Sequence, residues 1–305
     1  MDPHAVFAST PGAAPLFAAI VPAAGLGTRL SPLSLGCPKE LLPLGFYPAL
    51  TACLLEADAA GLTELVVVSS PKKPGLQALA SALFGTDLSR HEQAPQTAAL
   101  AALWQRLAVR VVDQPQPWGV LDAVERGLAA LPAPSQSASV AVLFPDLLHL
   151  PDQTALVHLA AAHQQTGAAV FGLRRAQPGD RPGSTLAVRL APSFSQVPAA
   201  QLPTSTPLPI VELQPASGHP DELLTTFGQV QTPAWNAALD RHCRPAEGAP
   251  LRDAAFLTAL NDLAGAGGLV GTLLPGEVVD LGTLAGYGEV VRRFSVATAR
   301  LRGVP

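Results

Sequence analysis

Residues 16 to 48 read L-F-A-A-I-V-P-A-A-G-L-G-T-R-L-S-P-L-S-L-G-C-P-K-E-L-L-P-L-G-F-Y-P, and this stretch decides how the rest of the chain is read. The apolar run Leu16 to Val21 predicts a buried strand. It breaks into a loop of small residues, Ala23 to Gly27, which hands over to Thr28, Arg29 and, further on, Lys39. Glycines let backbone N–H groups come close to an anion, and the two cations can neutralise phosphate charge. A strand, a glycine-bearing turn and two fixed cations near the start of a chain together describe a cradle for nucleotide phosphates.

Outward from that stretch, helical and apolar segments alternate. Pro48 opens a predicted helix that ends at Gly61, where helices favour glycine. Glu64 to Ser70 is a β-branched strand, followed by helices over 76–84 and 97–107 and a strand over 109–112. A helix over 122–131, a strand over 140–144, a helix over 153–164 with Asp152 as its N-cap, and a strand over 168–173 continue the pattern. Wholly apolar strands separated by helices imply a parallel sheet covered on both faces. The predicted fold is α/β, a doubly wound, mostly parallel Rossmann-like sheet. Residues 176–209 break the rhythm and read as a small irregular β insertion with one strand, 185–190. Pro192, Pro198, Pro203, Pro207 and Pro209 argue against a central strand there. Strands at 210–213 and 224–230, helices at 233–240 and 251–263, and a closing helix over 284–294 complete the expectation.

Composition narrows the function classes. The 305 residues are 48% hydrophobic and only 14% charged, which is a packed globular composition. A net charge of −4, with no block of like charges, offers no footprint for nucleic acid. Lysine is restricted to Lys39, Lys72 and Lys73, so Lys39 stands out. Cys37, Cys53 and Cys243 form no C-x-x-C pair, which argues against a disulfide scaffold or a zinc site. No 18-residue apolar span and no basic-then-apolar leader occur, so a cytoplasmic protein away from the membrane is expected.

The loop is not a Walker A motif, because no Gly-Lys-Ser/Thr follows the glycines. Nor is it the dinucleotide fingerprint, since Leu30 stands at the third glycine position. The longer string, A-A-G-x-G-T-R, then P-K-E-L-L-P, then a Pro-led helix, resembles the sugar-1-phosphate nucleotidyltransferases, most nearly the bacterial UTP–glucose-1-phosphate uridylyltransferases. The resemblance implies the nucleotide-diphospho-sugar transferase fold as a single domain over 16–295. It would have a nucleotide half over about 16–150 and a sugar-binding half over about 151–295, flanked by a loose leader (1–15) and a tail (296–305). It further implies Mg²⁺-dependent transfer of a nucleotidyl group from UTP to a sugar 1-phosphate, with release of pyrophosphate. Members often form dimers or tetramers, which leaves a homo-oligomer open.

Carried over residue by residue, the resemblance assigns the nucleotide to Ala24, Gly25, Gly27 and Thr28, and the departing β- and γ-phosphates to Arg29. It assigns charge at the reacting phosphate to Lys39. Arg suits the first task through its planar fork, and Lys suits the second as a compact point charge. In D-Q-P-Q-P-W-G-V-L-D-A-V (113–124), Gln114 matches the base-reading glutamine and Gly119 the glycine behind it, while Asp122 stands where relatives have His or Gln. Asp146, after V-A-V-L-F-P, and Asp280, in V-V-D-L-G-T-L-A-G-Y, match the carboxylates that hold one Mg²⁺.

On the sugar side Gly183, Glu212 and Gln214 are the candidates. There the family's V-E-E-K-P becomes I-V-E-L-Q-P (210–215), with neutral Gln214 at the lysine position. Ala259 likewise replaces an expected acid. The departure leaves a second possibility open: a weakly active or inactive homologue that binds nucleotide or nucleotide sugar as a regulatory or assembly subunit.

Overall fold

The computed structural model describes residues 16–84, 95–150, 154–178, 180, 182–183, 185–246, 249–251 and 255–297. The expected leader, Asp152 and the end of the tail lie outside these residues. The strands in chain order are β1 (Ala18–Pro22), β2 (Pro43–Leu44), β3 (Tyr47–Pro48), β4 (Glu64–Ser69), β5 (Arg110–Asp113), β6 (Val140–Leu143) and β7 (Leu147–Leu150). They continue with β8 (Ala169–Arg175), β9 (Leu186–Leu190), β10 (Pro207–Pro215), β11 (Leu223–Gln231), β12 (Leu269–Leu273) and β13 (Glu277–Asp280).

A nine-stranded sheet runs in the order β5-β4-β1-β6-β11-β8-β12-β10-β9. All of its strands point one way except β11 and β10, which pair antiparallel to their neighbours. This is the doubly wound, mostly parallel sheet that the apolar strands predicted. Successive residues of a strand face opposite sides, so one strand feeds two cores. Ala19 and Val21 of β1, with Leu65 and Val67 of β4, pack against Leu54 of helix Thr51–Ala59, Trp104 of helix Pro95–Arg106 and Leu156 of helix Ala155–Thr166. Ala18, Ile20, Val66 and Val68 face Ala123 and Val124 of helix Val120–Ala130. In the other half, Ala169, Phe171 and Leu173 of β8 pack on Trp235 and Leu239 of helix Pro233–Cys243 and Leu260 of helix Phe256–Gly265. Each such fully buried large side chain contributes roughly 1.5–3 kcal/mol of burial free energy.

The proline-rich segment departs from expectation. β10 starts at Pro207, includes Pro209 and lies between β12 and β9, inside the sheet rather than outside it. Pro207 to Pro209 pair with β12 only, and the pairing with β9 begins at Ile210. Pro209 O accepts from Ala191 N on the β9 side (2.9 Å). A residue's N–H and C=O point the same way in a strand, so both prolines turn their missing donors toward the side where β9 has ended. β12 was not among the expected strands; its apolar run is short and interrupted by glycine, G-G-L-V-G-T-L. The first predicted helix begins at Thr51 rather than Pro48, since Tyr47 and Pro48 are spent on a two-residue hairpin with Pro43 and Leu44.

Among the described residues no helix is long and apolar enough to cross a membrane. All three cysteines are free thiols.

Candidate active site

The C-terminal ends of β1, β4, β5 and β6 share one edge of the sheet, where α/β folds place their ligands. The loop after β1 is tied down at both ends. Ala23 N donates to Val68 O (2.8 Å), and Leu30 is buried. Between them Gly27 takes φ 68°, a left-handed conformation that L side chains adopt only under strain, and it starts the tight turn Thr28–Leu30. Ser34 Oγ donates to Gly27 O (2.8 Å) and holds that turn from above. Gly25, Thr28 and Arg29 are exposed at the loop's rim.

Beneath the loop sits a buried ion pair that sequence reasoning missed. Lys73 Nζ donates to Ala23 O (2.6 Å) and to both carboxylate oxygens of Glu40 (3.1 and 2.9 Å). Glu40 is fully buried and Lys73 is 4% exposed. Burial pushes the Glu40 carboxyl up and the Lys73 ammonium down, and their mutual attraction opposes both shifts. Glu40 O also accepts from Leu50 N (2.8 Å). One lysine therefore fastens the β1 loop, the P-K-E segment and the end of β4 together. Its signal was the scarcity of lysine combined with its position just after a strand.

Asp146 and Asp280, distant in sequence, are brought together by a small ladder. β7 and β13 pair antiparallel with Asp280 opposite Leu147, and Leu281 N donates to Asp146 O (2.6 Å). Gly282 marks where the charges converge. A Cβ placed there would lie 2.8 Å from Asp280 Oδ1, 2.9 Å from Arg29 Nη2 and 3.2 Å from Asp146 Oδ2. Lys39 Nζ donates to Asp146 Oδ2 at 2.5 Å, and Arg29 Nη1 to Asp280 Oδ2 at 3.3 Å. The Lys39 pair is half-sheltered, whereas the Arg29 side chain is 64% exposed and its pair is correspondingly weak. Two carboxylates aimed at one point supply hard oxygen donors. That set suits a hard divalent cation that completes its shell with phosphate oxygens and water. Among the described residues no group of three or more His, Cys, Asp or Glu forms a self-sufficient metal cage.

Gln114 continues the ladder past β5, its N–H donating to Ser69 O (2.7 Å). Its side-chain Nε2 donates to Gly119 O (2.9 Å) and to Asp122 Oδ2 (2.7 Å). Both N–H groups of this amide are thus engaged inside the protein. Gly119 caps helix Val120–Ala130.

The residues expected to meet the sugar form a separate group. Gly183 N donates to Ala216 O (2.8 Å), which brings it beside the end of β10. Glu212 follows an irregularity in the β10–β9 pairing and accepts from Arg189 Nε (2.7 Å) and Nη2. Gln214 is exposed. Asn261, also missed, donates to Leu213 O (3.0 Å) and accepts from Leu213 N (2.7 Å), fixing β10 from helix Phe256–Gly265. Ala259, in place of an acid, is buried in the core beneath.

Comparison with known proteins bears on the family and the fold. The family description Nucleotidyl transferase matches residues 18–183. A UTP–glucose-1-phosphate uridylyltransferase of Mycoplasma pneumoniae is 31% identical over 164 residues, 51% of this chain and 53% of that protein. The Escherichia coli K12 protein of the same name is 42% identical over 59 residues, 19% of this chain and 20% of its own. The chain thus matches about half of the first relative's length and a fifth of the second's. Among solved structures, a UDP-glucose pyrophosphorylase complexed with UDP-glucose superposes with a TM-score of 0.73 at 18% identity, covering 92% of this chain and 99% of that one. A UTP-bound enzyme of the same kind from Acinetobacter baumannii gives 0.71 at 20% identity, covering 95% and 100%. At these identities the superpositions speak for the fold.

Proposed function

The chain belongs to the nucleotidyl transferase family, and we propose that it transfers a nucleotidyl group from UTP, or another nucleoside triphosphate, to a sugar 1-phosphate. The acceptor we propose is glucose 1-phosphate, and the products are a nucleotide sugar and pyrophosphate. The observation that carries this reading is the meeting of Arg29, Asp280 and Asp146 at one point, with Lys39 on Asp146, beside the Gly27 turn.

In-line attack of a sugar-phosphate oxygen on the α-phosphorus needs positioning and charge neutralisation more than covalent help. Ala24, Gly25, Gly27 and Thr28 would present backbone to the nucleotide. Asp146 and Asp280 would hold a Mg²⁺, which when bound neutralises phosphate charge and orients the triphosphate. Lys39 and Arg29 carry their charges on long flexible stems, so each can turn from its carboxylate to a phosphate oxygen. Lys39 would serve the reacting phosphate and Arg29 the departing pyrophosphate. Gly183, Glu212 and Gln214 would form the acceptor side.

The test is pyrophosphate release from UTP, glucose 1-phosphate and Mg²⁺ by the purified chain. Turnover that requires all three supports the reading. Absence of turnover across a panel of nucleotides and sugar phosphates, with nucleotide still bound, would favour a regulatory homologue instead. One observation leans that way, namely Glu212 tied to Arg189 beside an uncharged Gln214.

A further inference from the structure

Asp122 lies in the first turn of helix Val120–Ala130, is 2% exposed, and is not part of the glycine loop or the carboxylate pair. Its Oδ2 accepts from Gln114 Nε2 at 2.7 Å and from Arg126 Nε at 2.8 Å. The Arg126 guanidinium in turn lies over the Trp118 ring, 5.7 Å from its centroid. One carboxylate oxygen therefore clamps the Q-P-Q-P-W turn from two sides.

The chemistry of these contacts fixes which way the Gln114 amide faces. Gly119 O and the Asp122 carboxylate, salt-bridged to Arg126, offer only lone pairs, so both must meet the NH₂ end. An amide nitrogen has two hydrogens, and both are used. Among the described residues Oε1 has no hydrogen-bond partner, and it is not among the polar atoms sealed in without one. Gln114 thus presents an acceptor and nothing else.

We infer that Asp122 is a positioning residue for base selection. By holding both amide hydrogens inward, together with Gly119 O, it makes Gln114 an acceptor-only reader, which selects a base whose facing edge carries a ring N–H. Uracil and thymine have an imide N3–H. Cytosine has a bare lone pair at N3, which would oppose Oε1. This inference deepens the reading that Gln114 meets the base, and it rests on that reading.

The experiment measures equilibrium binding of UTP, CTP and N3-methyl-UTP, each with Mg²⁺, to the wild-type chain and to Asp122→Ala and Asp122→Asn. The near-isosteric Asn variant covers the event that Ala loosens the fold. Wild type is expected to bind UTP at least about tenfold tighter than CTP or N3-methyl-UTP, the size of one hydrogen bond with its unpaired alternative. Releasing the amide should lower the UTP/CTP ratio about tenfold in Asp122→Ala and by less in Asp122→Asn, which can still accept, mainly through tighter CTP binding. A merely structural role would weaken both nucleotides equally, so an unchanged ratio in a folded Asp122→Ala variant overturns the inference. If Asp122→Ala does not fold, an unchanged ratio in Asp122→Asn overturns it. A wild-type protein that binds no nucleotide overturns the nucleotide reading itself, and this inference with it.

Discussion

The proposed nucleotide side and the proposed acceptor side solve the problem of charge in different ways. Where the charges converge on the nucleotide side the ion pairs are long-range: Arg29 and Asp280 are 251 residues apart, and Lys39 and Asp146 are 107 apart. On the acceptor side they are local: Arg189 and Glu212 are 23 apart in a strand pair, and Arg174 and Asp180 are 6 apart, joined by a bidentate fork at 2.7 and 2.6 Å. Long-range pairs exist only when the whole sheet is assembled, and they leave like-purposed groups facing one point. Local pairs satisfy their charges at home. The first arrangement is what a shared ligand requires, and the second is what a remodelled strand pair settles into.

The largest expected effect is on the foundation of the nucleotide side. Lys73→Met leaves the Glu40 carboxylate buried without its partner, and breaking such a pair costs about 3–5 kcal/mol. Denaturant unfolding should show that loss, whereas Arg189→Ala on the exposed acceptor-side pair should change stability by less than about 1 kcal/mol. Equal losses would erase the contrast.

Next come the converging carboxylates. Asp146→Asn and Asp280→Asn should each lower turnover about 10²–10³-fold while thermal unfolding stays near wild type, since each removes an oxygen ligand proposed to hold the cation that neutralises the phosphate. Undiminished turnover in either variant would remove that residue from the site.

A third prediction probes the joint between the two sides. Glu56, on helix Thr51–Ala59, accepts from Leu156 N (2.9 Å) at the start of helix Ala155–Thr166. Burial raises its pKa from an ordinary 4.5 to about 7. Between those values the folded protein holds more protons than the unfolded chain, so stability is greatest below pH 4.5, falls as pH rises to 7, and then levels. The full span is on the order of 3 kcal/mol for this group. Glu56→Gln should flatten that part of the stability–pH curve, and a slope that survives would assign it elsewhere.

The smallest effect is expected at Gln214, the neutral residue on the proposed acceptor side. Gln214→Lys should lower the apparent KM for the sugar phosphate by roughly fivefold, about 1 kcal/mol for a partly solvated charge-assisted bond. No change would place Gln214 away from that phosphate.

How much could be read beforehand follows the same divide. The β1 loop, Arg29 and Lys39 stand within one contiguous string, so they could be named together as candidates. The apolar runs of β1, β4 and β6 announced a buried parallel sheet because both faces demand hydrophobic residues. Asp146 and Asp280 could be named as candidates, but their meeting depends on the β7–β13 ladder, and β13 is too short to show a period. The Glu40–Lys73 pair was hidden because burial of a charge is a property of the assembled fold. β10 was misjudged because a proline forbids a donor, not a strand, and only the structure shows on which side that donor is unneeded. Gln114 could be named as a candidate, yet which end of its amide faces outward depends on Asp122 and Gly119 behind it.

That the β1 loop, Asp146 and Asp280 form a joint site for a nucleoside triphosphate and a divalent cation is tested most directly by calorimetric titration of UTP with and without Mg²⁺. The titration would compare the wild type with the Asp146→Asn, Asp280→Asn double variant. Mg²⁺ is expected to strengthen UTP binding to the wild type, and the folded double variant to lose this gain. UTP binding that is absent, or that is indifferent to Mg²⁺ in the wild type, would contradict it.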